Sequence, residues 1–330
     1  MAVPLLLDVD TGVDDLVALL YAAASPEVDL IGATTVTGNV HVSTVTRNTL
    51  LALETAGLGD VEVARGADAP LVQPWEAFTV VHGDDGLGGA AIREPSGTAS
   101  ERDAATLIVE QARARPGEVL LVATGPLTNV ALAVRAEPRL PELLRGFALM
   151  GGAFREGGNV TPRAEANVWM DPDAADVVFD AWGGAAPAEL PRCFGLDVTE
   201  RVWLSAIDVE AICAPAPRSP LAVMIRDSIA FYADFHASIG RLDGACMHDP
   251  LAVAAAIDPT LCTWADTRVQ VELDGRWTRG ETVTDLLAIR NTPWLDWPAE
   301  ENARVATSVD AAAVVARLVE RLRSLVAARA

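Results

Sequence analysis

The chain predicts an α/β fold: one open, mostly parallel, Rossmann-like sheet flanked by helices, with additional helices and a small strand-rich element in the C-terminal half. Three observations lead there. Short aliphatic runs alternate with helical patterns through the first half, the mark of βαβ units. With 51% hydrophobic residues and 5% aromatics, the 330 residues hold enough aliphatic material for a large core. No low-complexity linker and no internal repeat divides the chain, so residues 1–330 are expected to form a single domain.

Five strands are expected first, at 4–9, 30–36, 61–64, 119–123 and 147–150. Helical spacing with capping residues or Gly/Pro punctuation fills the gaps at 14–24, 43–56, 104–114 and 127–135. The later chain reads as helices at 172–182, 205–213, 220–238, 250–256 and 310–328. A strand-rich stretch at 263–289 interrupts them, with Asp274-Gly275 as a hairpin turn signal.

Charge narrows the function. The net charge of -21, from 46 acidic against 25 basic residues, repels polyphosphate and leaves no basic stripe, so no nucleic-acid polymer is expected as a partner. Every basic residue is arginine, which excludes Schiff-base lysine chemistry and a P-loop lysine. The N-terminus enters a strand directly, without a basic segment and apolar run, and no long apolar stretch follows. A cytoplasmic protein without a membrane partner is expected. Cys193, Cys213, Cys246 and Cys262 lack CxxC spacing and read as small buried hydrophobes.

The polar residues that need explaining follow strands: Asp10 after the first, Asn39 after the second, Thr124 after the fourth, Gly151-Gly152 after the fifth. Parallel sheets bind ligands at those ends. Asp8, Asp10, Asp14 and Asp15 crowd one strand end, turn and helix start. Capping accounts for one or two of them. A hard divalent cation accounts for the rest, because Ca²⁺ gathers six to eight oxygens from carboxylates, carbonyls and water. Asp8 shares a face of the strand with Asp10 and is better placed to support the turn than to touch an ion.

The segment DVDTGVDD at 8–15 resembles the DTDxGxDD signature of the inosine-uridine-preferring nucleoside hydrolase family, with Val9 and Thr11 departing at positions that bind nothing. Further landmarks follow in order. Gly38-Asn39 stands where the family has an asparagine near the ribose, and His82-Gly83-Asp84-Asp85-Gly86-Leu87-Gly88 resembles its HGxDGLG loop. Thr124-Gly125-Pro126-Leu127-Thr128-Asn129 resembles its GPLTN segment, and Met150-Gly151-Gly152 leads to Asn159, Glu165 and Asn167. His248-Asp249-Pro250 resembles its late HDP motif.

The resemblance implies Ca²⁺-dependent hydrolysis of a ribonucleoside N-glycosidic bond, giving free base and ribose. It assigns the metal to Asp10, Asp15, the Thr124 carbonyl and Asp249. Asp10 is then the general base, with Asn39 near the attacking water and His248 protonating or polarising the leaving base. Asp14, Asn39 and Asn167 take the ribose hydroxyls, Asn159 and Glu165 the 5′-hydroxyl. Met150, His82 and Asp249 also line the substrate site. It further implies a homodimer or homotetramer. Local pattern alone also allows Asp249-Pro250 to be a helix cap with proline at the first position. His236 either lines the base pocket or sits on a helix surface. Base preference is expected to rest on residues 73–78 and 228–241.

Two rivals stand beside this reading. The hydrophobic strand ending in Asp8-Val9-Asp10 also resembles the nucleophile motif of haloacid dehalogenase-type Mg²⁺ phosphatases. Here the turn reads Asp10-Thr11-Gly12 where that family has DGT, and the lysine it commonly uses is missing. The other rival is a non-catalytic nucleoside-binding protein on the same fold.

Overall fold

The structure is a computed structural model and describes residues 2–90, 93–186, 188–286 and 297–330. In chain order its strands are β1 (Val3–Val9), β2 (Val28–Thr35), β3 (Val63–Arg65), β4 (Leu120–Ala123), β5 (Gly146–Met150), β6 (Arg192–Phe194), β7 (Trp203–Leu204), β8 (Ala245–Cys246), β9 (Cys262–Thr267), β10 (Val269–Val271), β11 (Thr282–Thr284) and β12 (Ala303–Val309). Eight of them form one sheet in the order β3-β2-β1-β4-β5-β6-β12-β9. All neighbours are parallel except β12 and β9. The chain winds outward from β1 to β3 and then crosses back to lay β4 on the other side of β1. A crevice therefore opens at the carboxyl ends of β1 and β4.

The side-chain alternation of β1 explains the two layers. Leu5, Leu7 and Val9 join the core beneath helices Val13–Ala23, Pro220–Ser238, His248–Ile257 and Ala311–Ala328, while Leu6 joins the core beneath Ala104–Ala114, Thr128–Ala136 and Pro172–Ala181. His248–Ile257 is unusual for being buried nearly all round, and its run Leu251 to Ala256 packs against Val13–Ala23. Small alanines let the two helices approach closely. Their N-termini consequently open onto the same crevice, and this brings Asp249 to Asp14 and Asp15.

Most helices lie within two residues of their expected bounds, and the differences have local causes. His248–Ile257 begins earlier than expected, with Met247 at the cap position and no side-chain cap bond, so Asp249 stands inside the first turn. Its carboxylate is not consumed in capping, and Pro250 falls where a backbone N–H would have no helical partner anyway. The Asp274-Gly275 turn is not a tight hairpin: β10 and β11 do pair antiparallel, but across a longer loop closed by Gly280 N–H donating to the Glu272 carbonyl at 2.7 Å. Residues 287–289 of the expected strand-rich stretch lie outside the described residues. The three-residue strand β6 and the final strand β12 were not expected, nor the single-turn helices Thr79–His82, Leu140–Leu143, Ala166–Met170 and Leu196–Thr199, which are too short to carry a period. Among the described residues no helix is long and apolar enough to cross a membrane.

Candidate active site

The floor of the crevice is acidic and buried. Asp8, Asp10, Asp14, Asp15 and Asp249 are all at most 4% exposed. Asp15 stands third in its helix and braces the turn. Its Oδ2 accepts from Gly12 N–H at 3.0 Å and Asn39 Nδ2 at 3.4 Å, and its Oδ1 from the Thr124 hydroxyl at 2.8 Å and Asp10 N–H at 3.3 Å. Asp10 Oδ2 accepts from Asn39 N–H at 2.7 Å, while its buried Oδ1 has no hydrogen-bond partner among the described residues. A side chain at Gly38 would put its Cβ 2.1 Å from Asp10 Oδ2, and one at Gly125 2.9 Å from Oδ1. Both positions are therefore glycine so that backbone can close around this carboxylate.

Asp8 lies underneath, as its place on the strand predicted. Its Oδ1 accepts from the Thr34 hydroxyl at 2.6 Å and from Asn129 Nδ2 at 2.7 Å, and its Oδ2 is a second buried oxygen without a partner. Asn129 also donates to the Thr35 carbonyl and accepts from Ala67 N–H, tying β1 to the β2 end and the loop beyond. The Asn129 role was not anticipated, although the residue closes the GPLTN segment.

Burial pushes the carboxyl of Asp8 up to about 7 and raises those of Asp10, Asp14, Asp15 and Asp249. The nearest charges acting on them are other aspartates, which adds to the rise. Such a group of carboxylates calls for a cation. One oxygen from each of Asp14, Asp15 and Asp249 falls within 4.8 Å of the others, and this all-oxygen donor set suits a hard divalent metal. The trio differs from the expected ligand set. Asp14, expected on the ribose, belongs to it, and Asp10 stands beside it with its unpartnered oxygen.

Above this floor a cavity of about 470 Å³ collects the remaining predicted residues. Asn39, Thr124, Met150, Asn159, Glu165 and Asn167 line one end with Asp14 and Asp249. Asn167 spends both amide hydrogens on the Thr124 and Met150 carbonyls, at 2.6 and 3.1 Å, clamping the β4 and β5 ends together and leaving Oδ1 as an acceptor. Asn167 thus already occupies the Thr124 carbonyl that was expected to serve a metal, leaving it one lone pair. Glu165 caps helix Ala166–Met170, accepting from the N–H groups of Asn167, Val168 and Gly152, and Asn159 Oδ1 accepts from Ala166 N–H at 3.0 Å. Both side chains face the cavity while fixing its wall.

The other end is aromatic. Phe78, Trp203, Tyr232 and Phe235 line it with His82, His236 and His248. His236 is 5% exposed and meets the rings of Tyr232 and Trp203 at 4.3 and 5.1 Å, so it is a pocket residue and not a surface one. Hydrogen bonds set two tautomers. His82 Nδ1 accepts from Val13 N–H, which puts the proton on Nε2, whereas His236 Nδ1 donates to the Tyr232 carbonyl. His248 Nδ1 pairs with the Thr199 hydroxyl at 2.8 Å. Burial drives both His82 and His248 down to about 3, and neighbouring histidines add to it. His248 is thus a neutral hydrogen-bonding group and not an imidazolium. Tyr232 and Phe235 lie one turn apart on helix Pro220–Ser238, within residues 228–241 where base preference was expected to rest, whereas Trp203 on β7 was not singled out because no local pattern links it to them.

The family model for inosine-uridine preferring nucleoside hydrolase matches residues 5–316. The chain belongs to this family. It is 37% identical over 320 residues to the probable uridine nucleosidase 2 of Arabidopsis thaliana, covering 96% of this chain and 97% of that one. It is 36% identical to the pyrimidine-specific ribonucleoside hydrolase RihA of Citrobacter koseri, with 98% of each chain covered. Among solved structures a plant nucleoside hydrolase superposes with a TM-score of 0.90 at 34% identity, over 98% of this chain and 100% of that one. A purine-preferring ribonucleoside hydrolase from Gardnerella vaginalis gives 0.89 at 32%, over 98% and 99%. As a nucleoside hydrolase the protein is an N-glycosyl hydrolase that splits ribonucleosides into base and ribose. These matches favour neither the phosphatase nor the non-catalytic reading.

Proposed function

We propose that this nucleoside hydrolase is Ca²⁺-dependent, that residues 1–330 act as one hydrolase domain, and that Asp10 is its general base. The observation that carries the proposal is the buried Asp10 Oδ1, without a partner and beside the Asp14, Asp15 and Asp249 trio. Those three, with Asp10 and the Thr124 carbonyl, are the groups that would hold the ion. Bound Ca²⁺ would supply Lewis acidity toward a water and the ribose hydroxyls.

The chain's own groups then divide the work. Asp10 accepts the proton of the attacking water through its free oxygen, held in line by Asn39 N–H on the other. Asp14, Asn39 and Asn167 Oδ1 take the lower ribose hydroxyls, and Asn159 and Glu165 the 5′-hydroxyl. The carboxylates crowded at this end favour the oxocarbenium-like charge that grows on the sugar. His248 hydrogen-bonds the departing base, with His82 and its Nε2–H beside it. Base choice belongs to the aromatic end, where relatives named for uridine and for purines must differ. We also propose a cytoplasmic enzyme, and a homodimer or homotetramer on the family resemblance alone; sedimentation tests the assembly.

Reducing-sugar release from uridine and inosine tests the reaction, with p-nitrophenyl phosphate as the control for phosphatase activity. Ribose is expected and phosphate is not. Phosphate release without ribose would overturn the reading.

A further inference from the structure

One charged pair guards the aromatic end of the cavity. Arg241 and Glu200 both line it, and Arg241 Nη2 donates to Glu200 Oε2 at 3.2 Å. Among the described residues that line the cavity Arg241 is the one arginine, set against the carboxylates of Asp14, Glu165, Glu200 and Asp249. Its backbone N–H donates to the His236 carbonyl at 2.9 Å, which fixes the root of its side chain at the end of the helix that carries His236, whose ring faces Tyr232 and Trp203. Glu200 is tethered too, because its carbonyl accepts from Trp203 Nε1 at 2.8 Å.

This placement matters for a departing base. As the C1′–N bond breaks, its electron pair goes to the base nitrogen and spreads onto any ring carbonyl oxygen. Water bonds to C1′ and gives its proton to Asp10, and the base takes up a proton from His248 or solvent before it leaves. During bond breaking the base is anionic in a cavity lined by acids, so it needs a donor that carries charge. His236 cannot donate from Nε2 while its Nδ1–H is committed to the Tyr232 carbonyl. The Arg241–Glu200 pair, by contrast, is a single contact with both side chains partly in water, at 52% and 35% exposure, and such pairs exchange readily.

We propose that Arg241 is a specificity-determining residue of this reaction, whose guanidinium leaves Glu200 to donate to the oxygen on C4 of a pyrimidine or C6 of a purine as that oxygen gains charge. A base with an amino group on that carbon presents the guanidinium with a donor where the oxygen would be. Uracil and hypoxanthine are therefore assisted, while cytosine and adenine are not. The proposal rests on the hydrolase reading above.

The test compares kcat/KM of the wild type, Arg241→Met and Glu200→Gln on uridine, inosine, cytidine, adenosine and p-nitrophenyl riboside. A hydrogen bond to a charged group corresponds to about 10- to 100-fold, so Arg241→Met should lose that much on uridine and inosine. Cytidine, adenosine and p-nitrophenyl riboside should change less than about threefold. Glu200→Gln breaks the same pair but keeps the guanidinium, and should keep the uridine-to-cytidine ratio. Equal losses on all five substrates with Arg241→Met, or an unchanged ratio, overturn the role of Arg241 alone. A wild type that releases ribose from none of the five overturns the hydrolase reading and this proposal together.

Discussion

The two ends of the cavity are built differently. The acidic end stands on the carboxyl ends of β1, β4 and β5 and on two buried helix starts, and Asp10, Asp15, Asn159, Glu165 and Asn167 are hydrogen-bonded to backbone there. The aromatic end is assembled from the single-turn helix Thr79–His82, the strand β7, the long helix Pro220–Ser238 and the turn after it. Groups that must hold one sugar stereochemistry sit on the rigid sheet, and groups that meet a variable base sit on peripheral elements. Changes at the acidic end should then injure every substrate alike, and changes at the aromatic end should depend on the leaving group.

The largest effect is expected at Asp10. Asp10→Ala should cost on the order of 10⁴-fold in kcat on uridine, inosine and p-nitrophenyl riboside alike, with the fold intact by circular dichroism. A loss confined to one substrate breaks the comparison. His248→Ala sharpens it from the other side. Its loss on inosine should be on the order of 10² to 10⁴, and much smaller on p-nitrophenyl riboside, whose phenolate leaves unaided. Because Asp249 is the next residue, equal losses on both would mean that His248 supports the acidic floor. Tyr232→Leu should move the uridine-to-inosine ratio of kcat/KM by about tenfold and leave p-nitrophenyl riboside within about threefold.

How far the molecule could be read from sequence follows the same division. Asp8 to Asp15, Gly38-Asn39, the GPLTN segment and His248-Asp249-Pro250 are contiguous, because a strand end and the turn behind it place neighbouring residues at one point. The aromatic end is only partly such a string: Tyr232, Phe235 and His236 follow one another on a single helix, but Trp203 joins them from β7, where its ring lies 5.1 Å from that of His236. The link from Asp8 to Asn129 joins residues 121 apart and shows only once β1 and β4 pair. Strand β12 was missed because Ala303–Val309 mixes small, charged and hydroxyl residues, with half-buried positions on both faces. The competition between capping and ligation at Asp249 needed the true start of its helix.

A smaller effect separates the metal from the carboxylates that would bind it. Burial lifts the pKa of Asp8 from 3.8 to about 7 and raises those of Asp14, Asp15 and Asp249, so the metal-free fold keeps protons that the unfolded chain releases at lower pH. Stability from these groups is present below the unfolded value and is lost as pH climbs from about 4 toward the raised values. A cation must displace those protons. The rise in melting temperature on adding one fixed concentration of Ca²⁺ should therefore be greater at pH 7.5 than at pH 5, and where free Ca²⁺ stands about a hundredfold above Kd the stabilisation should reach about 3 kcal/mol. A pH-independent rise would place the ion elsewhere.

The most direct measurement is turnover of uridine and p-nitrophenyl riboside by protein stripped of metal, with residual content followed by atomic emission, and then by the same protein with Ca²⁺ restored. The account predicts that both activities vanish together and return together, because both substrates use the same acidic end. Full turnover of either substrate by protein proven free of metal would contradict it.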